Sequence, residues 1–409
     1  MSRTRNLSTV FVSAMILALL VGACAPSATP MPTPKPVIAQ PTVLPTPAKP
    51  AVPDEIRIGV NELMTGWGAA CGDMAWKGDQ LAQKDKPTVL GKPVKLIMLD
   101  NKSDKAEAAI VAQRLVEVEK VVAVLGTNSS SMSIAQNEVL EGLGIPSIAS
   151  EATNVLVTQD KKYAFRVCYI DPFQGSAGAK YALEQLGAKK AVLLVDIGLD
   201  YPVGCANFFR DAWLQLTGDP KSLLGYFSFQ TGDRDFTAQL TAIKALKPDL
   251  VYCPNSYNDV AAILVQAKQL GLIPGIQFMD GDSCDLPDFV EIAKDAAEGF
   301  VYTSIYHPEA FPNPRLTKFI ADYKKEYGQD PTGFAVTAYD AYMLLMDAIE
   351  RAGSVEPEAV TKALAETKDW EGGLRGKLTI DKNHNAIVPM PVIKVTNGKL
   401  VLAGVIAPQ

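Results

Sequence analysis

The chain has 409 residues, 48% of them hydrophobic and 21% charged, with a formal net charge of −6 and two histidines. An acidic balance without a Lys/Arg-rich run argues against a nucleic-acid binder, whose phosphate contacts need clustered cations. Six cysteines without a Cys-x-x-Cys pair, and two histidines far apart at His307 and His384, leave no zinc-ligand spacing, so no metal is expected.

In chain order, Arg3 and Arg5 precede the apolar run Leu7 to Ala23, which ends in Leu20-Val21-Gly22-Ala23-Cys24. Small residues directly before a cysteine mark a bacterial lipoprotein signal. Residues 1–23 are therefore expected to be a signal peptide and Cys24 the lipidated residue, the alternative for a run of this length being a retained membrane helix. Residues 24–53 follow as a tether: between 25 and 53 stand ten prolines among Ala, Ser and Thr, too polar to pack and too constrained in φ for a helix. Together these features place the body outside the cytoplasm, anchored to a membrane by an N-terminal lipid. No later segment is apolar for long enough to cross a bilayer.

From Asp54 onward about 355 residues remain, more than one hydrophobic core ordinarily holds, so two lobes are expected. Predicted strands are Ile56 to Val60, Val94 to Leu99, Val121 to Leu125, Ile145 to Ala149, Ala191 to Val195, Leu250 to Tyr252 and Ile276 to Met279. Helical periodicity fills Lys105 to Glu119 and Val260 to Leu270, with Gly271 as a C-cap. Alternating strands and helices predict an α/β body with parallel sheets. Outside the cytoplasm one or two disulfides are open to Cys71, Cys168, Cys205, Cys253 and Cys284, with at least one thiol left over.

In open α/β sheets, ligands sit beyond the carboxyl ends of the strands. There, Val121 to Leu125 runs into Gly126-Thr127-Asn128-Ser129-Ser130-Ser131, and Ile145 to Ala149 into Ser150-Glu151-Ala152-Thr153-Asn154. Both are read as hydroxyl-rich loops opening a helix, whose free N–H groups can hold an anion without a basic side chain. The plainer alternative is that these hydroxyls only cap their own helices.

A set of short pieces in a particular order carries a resemblance: Ile58-Gly59-Val60 through Met64-Thr65-Gly66, Ser129-Ser130 after Gly126, Ile145-Pro146-Ser147 with Ala152-Thr153-Asn154, Phe165-Arg166-Val167 before Asp171, Asp200-Tyr201-Pro202, Thr231-Gly232-Asp233, Phe278-Met279 with Asp282, and Ala338-Tyr339-Asp340-Ala341. On these, the body from about Ile56 to Ala407 resembles the leucine/isoleucine/valine-binding proteins. The resemblance implies two Rossmann-like lobes with parallel sheets in a type I periplasmic-binding-protein clamshell. Lobe 1 would hold 54–170 plus 306–390, and lobe 2 would hold 171–305 plus 391–409. It further implies a monomer without a cofactor that binds a small polar metabolite, an amino acid of the branched-chain type or a relative, and delivers it to an ABC permease.

By the same resemblance Ser129, Ser130, Ala152 and Thr153 would hold a ligand's carboxylate and part of its ammonium group from lobe 1, and Tyr201 and Asp282 would complete the site from lobe 2, Asp282 as the acid for the ammonium. Trp67 and Phe334 would be core or a wall for its side chain. Glu151, Cys71 and Ser256 depart from the pattern: a glutamate beside the carboxylate subsite would repel a carboxylate and favour a cation, an amide or another pose. No Gly-x-Ser-x-Gly elbow, phosphate loop or complete Gly-x-Gly-x-x-Gly supports an enzyme. The rival within the fold is a sensor, or a binder of an amide, urea, polyamine or aromatic acid.

Overall fold

The computed structural model describes residues 52–408; the expected signal peptide, Cys24 and the proline-rich stretch up to residue 51 lie outside them. The first half of the body runs β1 (Ile56–Glu62), α1 (Ala69–Asp85), β2 (Thr88–Val89), β3 (Lys92–Asp100), α2 (Lys105–Glu117), β4 (Ala123–Leu125), α3 (Ser130–Leu143), β5 (Ser147–Ala149) and β6 (Ala164–Arg166). There follow α4 (Asp171–Glu184), β7 (Ala191–Asp196), α5 (Asp200–Thr217), β8 (Leu223–Phe229), α6 (Thr237–Leu246), β9 (Leu250–Tyr252), α7 (Tyr257–Gln269), β10 (Gln277–Asp280), α8 (Pro287–Ala293) and β11 (Val301–Thr303). The chain ends with α9 (Pro314–Tyr327), α10 (Gly333–Ala352), α11 (Pro357–Ala365), β12 (Thr379–Ile380), β13 (Ala386–Ile387), β14 (Met390–Thr396) and β15 (Lys399–Ile406).

Two mixed sheets result, ordered β2-β3-β1-β4-β5-β6 and β15-β14-β11-β10-β9-β7-β8, with β12-β13 as a separate ribbon. All pairings among β1, β3, β4, β5 and β6, and among β7 to β11, are parallel. Parallel strands need crossovers, and the helices supply them on both faces; β7, Ala-Val-Leu-Leu-Val-Asp, is accordingly buried along its whole length. The core of the second sheet is aromatic, with Phe209 stacked on Tyr252 at 3.9 Å between centroids and on Trp213 at 5.8 Å.

All seven expected strands are present, and α2 and α7 match the two expected helices, with Gly271 past the end of α7 at φ +70°. One expectation needs correction. The Ser150–Asn154 loop opens only a single 3₁₀ turn, Val155–Val157, because the Asn154 side chain caps it locally by accepting from Leu156 N–H at 3.0 Å. The hairpin β14–β15 is an addition. It turns at Asn397 and Gly398, both at positive φ, the backbone that a two-residue hairpin turn demands.

Helix α10 is nearly all buried and packs on α1, where a Cβ on Gly78 would stand 2.1 Å from the Ala335 carbonyl oxygen. Gly142, near the end of α3, has nothing within 4 Å of that position. Gly78→Ala should therefore cost about 1–3 kcal/mol by forcing two helices apart. Gly142→Ala should gain about 0.5–1 kcal/mol from the lost freedom of the unfolded chain. Urea denaturation of both variants checks this; equal midpoints would refute the close helix contact.

Candidate functional site

The carboxyl ends of both sheets face one cavity. From the first sheet come the turn after β1 (Trp67, and Cys71 in α1), the turn after β4 (Asn128, Ser129, and Ser130 in α3) and the loop after β5 (Glu151). The second sheet contributes Leu199, Tyr201 and Pro202 after β7, Asn255, Ser256 and Tyr257 after β9, and Asp282 and Ser283 after β10. Phe334, in the first turn of α10, closes the ring. The cavity measures about 60 Å³ of space open to the centre of a water-sized sphere. That is room for roughly four to six waters, the scale of a small metabolite.

The Ser150–Asn154 loop is bolted in place from behind. Buried Arg166 donates to the carbonyls of Ala152 at 2.6 Å and Asn154 at 2.7 Å, and to the Thr158 hydroxyl at 3.1 Å. The Thr153 carbonyl accepts from Asp171 N–H at 3.0 Å. This leaves Ala152 and Thr153 fully buried and outside the cavity lining, with Glu151 the member of the loop that reaches it. Arg166 was part of the quoted Phe-Arg-Val piece, but nothing in the sequence assigned it this role.

Ser129 is the N-cap residue of α3, yet its hydroxyl makes no cap bond, and the Ser130 hydroxyl accepts from Asn154 N–H at 3.1 Å. The plain capping alternative therefore does not describe this pair. The first N–H groups of an α-helix have no acceptor on their own helix, and Ser129 and Ser130, where α3 begins, line the cavity. Asn128, 7% exposed, carries an Nδ2 without an acceptor.

Opposite them stands a group of acids. Asp282 is 8% exposed; its N–H donates to the Tyr201 hydroxyl at 2.9 Å, while its Oδ2 has no partner. Burial pushes its carboxyl up to about 6, against the hydroxyl of Tyr201 and the amide of Gln174, which favour the charged form. Glu151, 9% exposed, is raised well above the ordinary range by burial and then by the carboxylates of Asp282 and Asp285, with Arg375 offsetting part of this. Asp285, behind the lining, accepts from Gly333 N–H at 2.8 Å and is pushed up by burial to about 7. Among the described residues no lysine, arginine or histidine lines the cavity. Arg375 is held away by Asp340 at 2.9 Å and the Val167 carbonyl at 2.7 Å.

The residues sequence reasoning missed are Asn128, Leu199, Pro202, Asn255, Tyr257 and Ser283. Each lies a few residues past a strand end, and the strand-end rule applied to every strand would have found them. Asn255 also stitches the second sheet's ends together, accepting from Asp196 N–H at 2.7 Å and donating to the Leu194 carbonyl at 2.9 Å. The five body cysteines are all free and buried; Cys71 lines the cavity, whereas the Cys284 thiol donates to Asp280 at 3.1 Å. Among the described residues no cluster of metal-ligating side chains occurs, and no helix is long and apolar enough to cross a membrane.

Residues 55–399 match the model of the periplasmic binding protein family. The leucine-, isoleucine-, valine-, threonine- and alanine-binding protein of Pseudomonas aeruginosa is 30% identical over 317 residues, 76% of this chain and 82% of its own length. Among solved structures, the leucine-binding protein LivK of Thermotoga maritima is 41% identical with a TM-score of 0.83, covering 86% of this chain and 99% of its own. The substrate-binding protein LivJ of Streptococcus pneumoniae, solved with isoleucine, is 32% identical with a TM-score of 0.80, covering 87% of this chain and 100% of its own. The chain thus belongs to the periplasmic binding proteins, within the leucine/isoleucine/valine-binding family, and is a substrate-binding protein of the ABC-transporter type rather than an enzyme.

Proposed function

We propose that this protein captures a small, amino-bearing metabolite between two lobes, 54–170 plus 306–390 and 171–305 plus 391–409, and presents the closed form to an ABC permease. The observation that carries the reading is Asp282: a buried carboxylate whose free oxygen sits in a cavity of metabolite size, without a protein cation to neutralise it. A ligand ammonium group supplies that cation through charge-assisted hydrogen bonds, the strong kind. Ser129 and Ser130, with the N-terminus of α3, offer donors to the oxygen end of the same ligand, and Trp67 and Phe334 form its apolar wall. Ala152 and Thr153 serve by holding the loop.

Closure has a mechanical basis at Asp200, the first residue of α5. Its N–H donates to the Ser131 hydroxyl at 2.8 Å, its carbonyl accepts from Asn154 Nδ2 at 2.8 Å, and its carboxylate pairs with Lys105 at 2.9 Å. Each partner stands on the first-sheet side, so these bonds form only with the two sides together. A ligand that touches both sides shifts the population toward this form. The body works as a monomer outside the cytoplasm, held to the membrane by lipid on Cys24.

Two experiments test the reading. Asp282→Asn keeps the shape and removes the charge, leaving a ligand cation buried without a counterion. The loss should be about 2–5 kcal/mol, roughly thirtyfold to several thousandfold in affinity. Isothermal titration with the best binder from a panel of amino acids, amides and urea measures it, and unchanged affinity would reject Asp282 as the ammonium partner. For the anchor, Cys24→Ala should release the body from the membrane fraction or leave the precursor unprocessed; a variant processed and retained like the parent would overturn the lipid assignment.

A further inference from the structure

Resting on the site reading above, we propose that the occupant presents N–H donors on two different nitrogens, one set to Asp282 and one to Glu151, and a single oxygen acceptor end to Asn128 and the start of α3. Ureas, and amino acids with an amide or amine in the side chain, share this chemistry. A hydrocarbon side chain does not supply it.

The argument starts from Glu151. Its carboxylate is almost fully buried, lines the cavity and has no committed donor: the Thr337 hydroxyl stands 3.4 Å away but lies 2.8 Å from the Gly333 carbonyl of its own helix. The hydroxyl has one proton, and the shorter bond takes it. Asp285 adds no donor; its Oδ2 and Glu151 Oε1 each lie 2.8 Å from where a Cβ on Gly333 would stand, so two carboxylates converge beside the glycine that opens α10. An apolar ligand side chain packed there would bury Glu151 without a partner, which costs more than it gains.

A second, independent observation comes from two other lining residues, one from each sheet. Asn128 Nδ2 is a donor without an acceptor, and Asp282 Oδ2 an acceptor without a donor, both in side chains at least nine-tenths buried and both in the lining. The unmet groups are therefore of two kinds, acceptors at Asp282 and Glu151 and a donor at Asn128. One small molecule with two N–H-bearing nitrogens and one oxygen satisfies all three, and a short molecule suits the volume.

The test is isothermal titration of the full-length protein, purified in detergent, with urea, asparagine and ornithine against leucine and valine, on the wild type, Glu151→Ala and Glu151→Gln. At least one of the first three should bind the wild type tenfold or more tightly than leucine or valine. Glu151→Ala should cut that affinity about tenfold or more, the usual scale for leaving a buried donor without its acceptor, and narrow or reverse the preference over leucine. Glu151→Gln, which preserves shape, guards against misfolding of the alanine variant and should also lose affinity; melting without ligand confirms that both fold. Urea as the preferred probe would identify a ligand without a carboxylate, and asparagine or ornithine one that keeps it. Leucine or valine binding at least as tightly as the other three, unaffected by Glu151→Ala, overturns this inference while leaving Asp282 as the ammonium partner. Failure of all five to bind the wild type overturns this inference, whereas a best binder held equally well by wild type and Asp282→Asn overturns the site reading itself.

Discussion

Carboxyl groups buried beside a cavity whose lining holds no cation are the constraint around which this site is built. Asp282, Glu151 and Asp285 meet near the carboxyl ends of the two sheets, while Arg375, which offsets part of the shift at Glu151, pairs with Asp340 outside the cavity lining. Carboxylates in a low-dielectric cleft repel one another and resist ionisation, which is why all three are raised. A fold that retains such a group holds free energy that only a partner can recover. In a binding protein that partner is the ligand.

The neutral parts of the structure exist to hold those groups still. Parallel sheets bring every strand of one side to an end at the same edge, so six separate loops converge on a volume no larger than a metabolite. Four of the six are tied by a buried polar group: Arg166 behind the loop after β5, Asn255 across the ends of β7 and β9, and the Tyr201 hydroxyl on the backbone of Asp282 after β10. The contacts that join the two sides are of another kind. Three of them fall on Asp200 at the rim, one an ion pair between half-exposed side chains that contributes little by itself, and another is the bond from Gly333 N–H to Asp285.

How much of this was legible in the sequence depended on burial. Strands covered on both faces, such as Ala191 to Val195, read directly from continuous β-branched runs. Edge strand β8 did not, because its partly exposed Leu-Leu-Gly-Tyr-Phe-Ser-Phe carries no clean pattern, and β6 did not, because its three residues include an arginine. The C-terminal hairpin was missed although Asn397-Gly398 is a strong turn signal. Within the site, Ser129, Ser130, Tyr201 and Asp282 were reachable from their positions after strands, and Glu151 from its oddness among small residues. The assignment of Ala152 and Thr153 as direct contacts depended on which side of the loop faces inward. That orientation is decided by Arg166, a long-range partner that no local pattern reveals.

The same loop explains where specificity can change at least expense. The backbone of 152–154 is committed: two carbonyls to Arg166, one to Asp171, one N–H to the Ser130 hydroxyl. Altering those residues would disturb the scaffold before it altered recognition. Residue 151 is different, since its side chain reaches the cavity while its neighbours carry the structural bonds. A small residue there would leave a neutral space beside the start of α3, suited to a carboxylate; a glutamate fills it with an acceptor and reverses the polarity of that corner. One side chain can therefore redirect the class of ligand on an unchanged frame. On the reading proposed above, selectivity follows from the hydrogen-bonding character of a single loop position, more than from the shape of the cavity.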